Sequence, residues 1–378
     1  MTTFGIDITG ILTACATLLA TQDTPKLPHA QLAEALSTDL PTLPTLPPHR
    51  LRNNGKPLIP LKWDDIDDKR CWEWTRFSKL NIEYFVIILG IPDPFYTKKR
   101  NKIPGNLALT ILLNRLSYPN RLCDLEWRYG IAATTLSTVI NQLSEFVFDY
   151  WAEPLLTGFN SKLLTAGQLD SYASAIHSRG APMNNIFGFM DVTFNCVSRP
   201  KEGQEASYSG YKKRHANKHN AIATPDGLIV HCSLPVEGRC ADSTVLAYSK
   251  LEPLMEEHAF GAGKRRLFVY ADPAYGVSNT IVSAAKEVQD LKPEEQEFYT
   301  ALSRCRMCVE WGFGKVFNYF AFLDYDKNMR LYGSPVRRYF ILAVFFTNLH
   351  TCLYGSVTSH TFKLAPPSLE EYLLTALG

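Results

Sequence analysis

Three acidic residues, Asp191, Asp272 and Glu310, stand far apart along the chain, each in a local setting suited to hold a metal ion. Asp191 closes the apolar run Ile186, Phe187, Gly188, Phe189, Met190, and Asp272 closes Leu267, Phe268, Val269, Tyr270, Ala271. Both runs read as short buried strands. An ionised carboxylate at the rim of an apolar core is costly unless it finds a partner or a metal. Glu310 lies in Ala301–Val316, a stretch on which Leu302, Val309 and Phe313 share one helical face. Two strand-end aspartates and one helix glutamate can converge on a pair of Mg²⁺ ions about 3.5–4 Å apart, which activate water and stabilise the leaving oxygen of a phosphodiester. For an arbitrary acid, a helix cap or an ion pair is the better reading; the surroundings of these three change the odds.

Those surroundings form blocks in a fixed order. The first is GFMDVTFNCVSRP, with Asp191, Thr193, Arg199 and Pro200; next comes QEASYSGYKKRHANKHNAIATPDGLI, from Gln204 to Ile229. PVEGRCADSTVL holds Asp242 and Ser243, YADPAYG spans Tyr270–Gly276, and FYTALSRCRMCVEWGFGKV spans Phe298–Val316. FLDYDKNMRLYGSP, TNLHTCLYGS and PPSLEEYL follow towards the C-terminus. Together they resemble the PIF/Harbinger group of DDE transposases over roughly half to two thirds of the chain.

The resemblance implies an RNase H-like fold whose first and fourth strands lie side by side, bringing Asp191 and Asp272 to one ion. It also implies Asp191, Asp272 and Glu310 as catalytic metal ligands, two Mg²⁺ (or Mn²⁺) ions, cleavage of double-stranded DNA, and strand transfer by the freed 3′-hydroxyl. A separately encoded Myb-like DNA-binding protein is implied as a partner, and a homo-oligomer is expected because two element ends must be held together. Asp242 is expected to support the site rather than to bind metal. Two positions depart from the group: Val192 stands where glycine is usual, and Ala241 where histidine is usual. They leave open a second reading, a catalytically retired transposase kept as a DNA-binding or scaffold protein. A host nuclease on the same core is a third.

With 378 residues and 46% hydrophobic content, the chain can bury a sizeable core, and two domains are expected. The net charge of only +2 does not by itself announce a nucleic-acid binder. Local clusters do: Lys98, Lys99, Arg100 and Lys102; Lys212, Lys213, Arg214 and Lys218; Lys264, Arg265 and Arg266; Arg337 and Arg338. Charge runs are usually solvated surface, yet the second cluster lies between the first two acids, where phosphate contact by Lys212, Lys213, Arg214, His215 and Lys218 is expected. The run at Lys98–Lys102 also reads as a nuclear-import signal, and the expected location is the nucleus.

Nine cysteines lack framework spacing, which suits a reducing compartment. Cys305 and Cys308 form a lone CxxC without a second pair, too little for a zinc site. His215 and His219 fall in a strand-like stretch; neither is read as a ligand, and both are expected to contact DNA or to be exposed. No membrane partner is expected, since Ile8–Ala20 is too short and too rich in threonine to span a bilayer.

The elements that would position these groups fall into an α/β (α+β) pattern. Residues 1–52 read as an amphipathic helix and a proline-rich, partly disordered linker, Asp39–Arg50. Residues 63–155 read as a helical domain. Gly105–Ser117 carries Leu109, Leu112, Leu113 and Leu116 at spacings of three and four, and Pro104 sits near its start. Beyond it, a helix, a turn at Gly130 and a second helix from Ala133 give a helix-turn-helix outline. Thr134, Thr135 and Thr138, with Ser137, Asn141 and Gln142, are its polar groups for DNA; that face has no Arg or Lys.

Residues 180–378 read as the RNase H-like endonuclease domain. Strands are expected at Ile186–Asp191, Ala206–Tyr211, His219–Ala223, Leu228–Leu234 and Leu267–Asp272, with a turn at Pro225–Gly227. Helices are expected at Ala241–Ala259, Ser278–Lys286 and Pro293–Val316. The order predicts a mixed sheet flanked by helices.

Overall fold

The computed structural model describes residues 58–285, 291–331 and 335–376. The expected N-terminal helix and proline-rich linker, Lys286, and residues 332–334 lie outside the described residues.

The helical region holds α1 (Asp68–Thr75), α2 (Lys79–Ile88), α3 (Gly105–Ser117), α4 (Leu122–Tyr129) and α5 (Ala133–Val147). In α3 only Asn106 is not buried, so this helix is the axis around which the others pack rather than an amphipathic surface helix. Between α4 and α5 the chain turns at Gly130, whose φ of 62° is left-handed and whose N–H caps the carbonyl of Glu126. A Cβ there would collide with the backbone carbonyl of Ile59. Gly130→Ala is therefore expected to cost roughly 2–5 kcal/mol, combining left-handed strain with overpacking. Urea denaturation of the two proteins checks it; an unchanged midpoint would mean that the segment at Ile59 simply moves away.

The sheet has seven strands: β1 (Ile186–Cys196), β2 (Tyr208–Ser209), β3 (Arg214–Ala223), β4 (Ile229–Cys232), β5 (Val236–Glu237), β6 (Phe268–Ala271) and β7 (Ile281–Ser283). Its path is β2-β3-β1-β6-β7, and β4 and β5 also pair with β3. β1 and β3 run antiparallel, while β6 lies parallel to β1 and β7 parallel to β6. Helix α6 (Ala166–Ser178) packs along β1, and α7 (Asp242–Ser249) and α8 (Leu251–His258) connect to β6. After β7 come the 27-residue α9 (Pro293–Tyr319), α10 (Val336–Tyr354), α11 (Val357–Phe362) and α12 (Leu369–Leu374). A curled mixed sheet with flanking helices is the expected RNase H-like α+β architecture.

Several boundaries differ from expectation for local reasons. β1 does not stop at Asp191 but continues through Val192, Thr193 and Phe194, residues that favour strand themselves. Asp191 is thus a mid-strand residue. The expected strand Ala206–Tyr211 shrinks to Tyr208–Ser209, because Gln204–Ser207 forms a helical turn and the next residues make the β2–β3 hairpin turn. Ser278–Lys286, expected as helix, contains β7 instead. Ile281 buries its branched side chain in the sheet, and Ile-Val-Ser alternates buried and half-buried at the period of a strand. The Pro225–Gly227 turn is present, with Gly227 at a φ of 86° and its N–H on the Thr224 carbonyl.

One buried hydrophobic cluster runs from Ile66 to Leu373 and takes in both the helical region and the sheet. Polar contacts also cross: Arg76 Nε donates to the Tyr319 carbonyl, and the Trp72 ring meets Tyr354 edge-on at 5.5 Å. No helix among the described residues is long and apolar enough to cross a membrane.

Candidate active site

The parallel pairing of β1 with β6 sets Met190 opposite Ala271, so Asp191 and Asp272 are the next residues on two adjoining strands. Eighty residues of intervening chain are folded away to make them neighbours. Asp191 is half-buried; its Oδ1 accepts the N–H of Val192 at 2.8 Å and its Oδ2 accepts Arg306 Nη1 at 2.9 Å. Asp272 leaves β6 in extended conformation and caps the turn Pro273–Tyr275, with Oδ1 accepting the Ala274 N–H at 3.0 Å.

Asp242 opens α7 and accepts Lys218 Nζ at 2.8 Å. The same ammonium donates to the Cys240 carbonyl at 2.7 Å and lies 4.8 Å from the centre of the Phe194 ring. Lys218 was expected as a phosphate contact, but it is only 8% exposed, and its ammonium is engaged by Asp242 and the Cys240 carbonyl.

Electrostatics ties these groups together. Burial pushes the Asp191 carboxyl up; the Arg306 guanidinium and the Val192 N–H pull it down, and Asp272 and Asp242 push it up again. Tyr275 donates to Asn220 Oδ1 at 2.8 Å, and its phenol is raised well above the ordinary value, by burial first and then by Asp191, Asp242 and Asp272. Three aspartates therefore bear on one tyrosine, which stays protonated.

Glu310 is exposed on α9, one turn beyond Arg306 and on the same side of the helix. The carboxylates that bear on Asp191 are thus Asp272 and Asp242, while α9 presents Arg306 to it. Among the described residues no three His, Cys, Asp or Glu side chains gather closely enough to hold an ion as they stand. The donor chemistry nonetheless suits a hard divalent cation: carboxylate oxygens from two adjoining strands, with further acids on a flanking helix start and on α9.

Arg306 and Tyr275 were not singled out from sequence. Arg306 had a signal, since it precedes Glu310 by four residues within one helix. Tyr275 lies in the quoted YADPAYG block, but nothing in that block tells that its hydroxyl reaches back to Asn220 on β3.

Residues 190–348 match the family model described as DDE superfamily endonuclease. The matched segment starts one residue before Asp191, contains Asp242, Asp272, Arg306 and Glu310, and ends inside α10. The match supports a DDE-type nuclease or transposase family, whose nucleases typically use divalent metals. No curated protein and no solved structure matches the chain significantly.

At one end of the sheet, Lys212, Lys213 and Arg214 are exposed in the β2–β3 hairpin, and His215 is half-buried against Tyr208, ring centres 5.4 Å apart. His219, expected at the surface, is fully buried: Nδ1 faces the Ser233 carbonyl at 2.8 Å, and the ring stacks on Phe340 at 4.3 Å. On α5, Thr134 is exposed and Thr135 and Thr138 are half-buried. Further along that face, Gln142 Oε1 accepts the Lys98 N–H at 3.0 Å, and Glu145 stands 4.0 Å from Lys98 Nζ and 3.8 Å from Arg338 Nη1. On that helix Thr134 and Asn141 keep exposed neutral side chains.

Proposed function

We propose that the chain is a metal-dependent DNA endonuclease and strand transferase of the PIF/Harbinger type, working on double-stranded DNA in the nucleus. The observation that supports this best is the placing of Asp191 and Asp272 side by side on β1 and β6, within the segment matched to DDE superfamily endonucleases. Asp191, Asp272 and Glu310 would hold the metal. Two Mg²⁺ (or Mn²⁺) ions, when bound, supply an activated water and offset the charge on the leaving oxygen.

The chain's own residues prepare that site. Ionised Asp191 and Asp272 can only accept, so their oxygens are free for a cation once Arg306 gives way. Lys218 fixes Asp242 so that its charge bears on the site from one direction. Tyr275, held neutral, donates to Asn220 and adds no further negative charge. The exposed hairpin cations and the threonines at the start of α5 are the groups assigned to phosphates. A Myb-like protein would add the affinity that the uncharged α5 face lacks, and a second copy of the chain would hold the other DNA end.

A second reading has its own support. With Arg306 already on Asp191, and with Val192 and Ala241 at two motif positions, a transposase that has ceased to cut would look the same. Nicking of a labelled duplex by the full chain, with Mg²⁺ and then with EDTA, separates the two. Metal-dependent nicking is expected from the wild type and a loss of roughly a thousand-fold from Asp272→Asn. Binding without nicking in the wild type assigns the chain to the retired class.

A further inference from the structure

The hairpin that joins β2 to β3 carries more than charge. Tyr211 at its tip is 83% exposed, so its ring contributes almost nothing to the core. Lys212, Lys213 and Arg214 follow it directly and are exposed as well. Among the described residues none of these three cations has a carboxylate within ion-pair distance. Lys213 adopts a left-handed φ of 52°, which turns the backbone sharply at the tip.

The ring is not isolated. Lys212 Nζ stands 5.1 Å from the Tyr211 ring centre and 5.5 Å from that of Phe194, and the two rings lie 6.4 Å apart, tilted by 35°. Phe194 in turn carries Lys218 at 4.8 Å, and Lys218 holds Asp242. A ladder of alternating aromatic rings and ammonium groups thus leads from the hairpin tip to the carboxylates. An exposed ring flanked by unpaired cations matches the two demands of a nucleotide, a π-face for the base and positive charge for its phosphate. Bases within a duplex are already stacked on each other and present only edges, so a base that meets Tyr211 has left its helix.

We propose that the β2–β3 hairpin grips an unpaired nucleotide of the DNA substrate beside the cut, with Tyr211 stacked on the base and Lys212, Lys213 and Arg214 on the neighbouring phosphates. The assignment rests on the reading of the site as a DNA nuclease and deepens it: the preferred substrate is DNA opened next to the scissile bond. Tyr211 is a binding residue here, not a catalytic one.

The test uses the full chain in EDTA, so that binding is read without cleavage. Two fluorescent DNAs of one sequence are compared by anisotropy, one fully paired and one with a short unpaired flap that carries 2-aminopurine. The wild type should bind the flapped DNA more tightly and quench the 2-aminopurine. Tyr211→Ala should weaken binding to the flapped DNA by about 5- to 100-fold, abolish the quench and leave the paired duplex unaffected. Tyr211→Phe should keep both the binding and the quench, since stacking needs the ring and not the hydroxyl. At such exposure neither substitution threatens the fold, which a thermal melt verifies. Equal weakening on both DNAs, or none on either, overturns the proposal. A fluorescent polyglutamate that binds more tightly than the flapped DNA, and loses its affinity in Tyr211→Ala, would assign the hairpin to an acidic protein, and overturns it too. A wild type that nicks DNA with Mg²⁺ while Tyr211→Ala binds flapped DNA normally defeats this proposal alone; a wild type that binds neither DNA defeats the nuclease reading beneath it.

Discussion

Asp191→Asn is expected to reduce metal-dependent DNA cleavage by about a thousand-fold or more while duplex binding persists. Asparagine keeps the shape of the side chain, and its carbonyl can still accept the Val192 N–H. What it loses is the charge, and a metal site that forfeits a carboxylate between two adjoining strands forfeits several kcal/mol of transition-state stabilisation, at about 1.4 kcal/mol per factor of ten. Binding should be equal or slightly tighter, because a negative charge has been removed from a surface that must approach phosphates. The same substitution strips Arg306 of its counter-charge, so a thermal melt must accompany the assay to separate lost chemistry from lost fold. Retained cleavage in a well-folded Asp191→Asn protein would remove this residue from the site.

Acid should destabilise the protein through histidines that the fold keeps neutral. Burial lowers His219 and His231 to about 4 each; the Nδ1 atoms face the Ser233 and Gly158 carbonyls, and both Nε2 atoms lack a partner among the described residues. Unfolded histidine takes its proton near pH 6.5. Above that pH neither state is protonated and the contribution to stability is fully present. As the pH falls towards 4 the unfolded chain gains protons that the folded one refuses, and each histidine withdraws on the order of 3 kcal/mol. Asp226 works in the opposite sense: its buried carboxyl is raised, so acid favours its folded form. The histidine component is therefore isolated by difference. His219→Phe keeps a ring against Phe340 but cannot titrate; its urea stability should fall about 3 kcal/mol less than that of the wild type between neutral pH and about pH 4. Parallel pH profiles for the two proteins would show that His219 is protonated within the fold.

Legibility from sequence varied with the physics that fixed each feature. Helices α3, α4 and α5 were readable because leucines at spacings of three and four, with Gly130 as a breaker, are local signals. The acids Asp191, Asp272 and Glu310 were readable from their blocks, and the parallel β1–β6 pairing was implied by resemblance rather than by any spacing. What escaped was decided by distant contacts. β7 depends on an edge offered by β6, and a three-residue strand carries too few residues to show a period. Lys218 looked like its exposed basic neighbours until Phe194, Cys240 and Asp242 closed around it. His219 is polar in sequence but buried by α10, which lies more than a hundred residues further along. Arg306 competes for Asp191 across the sheet, and no local pattern reports which way a helix faces.

The hydrophobic cluster that runs unbroken from Ile66 to Leu373 makes the molecule a ruler. Helix α5 and the paired strands β1 and β6 are set by one core, so the spacing between the polar start of α5 and the carboxylates is a constant of the fold. On the proposed reading, the distance from a DNA site held by α5 to the bond cut at the carboxylates would be set when the chain folds, and changing it would require repacking of the core.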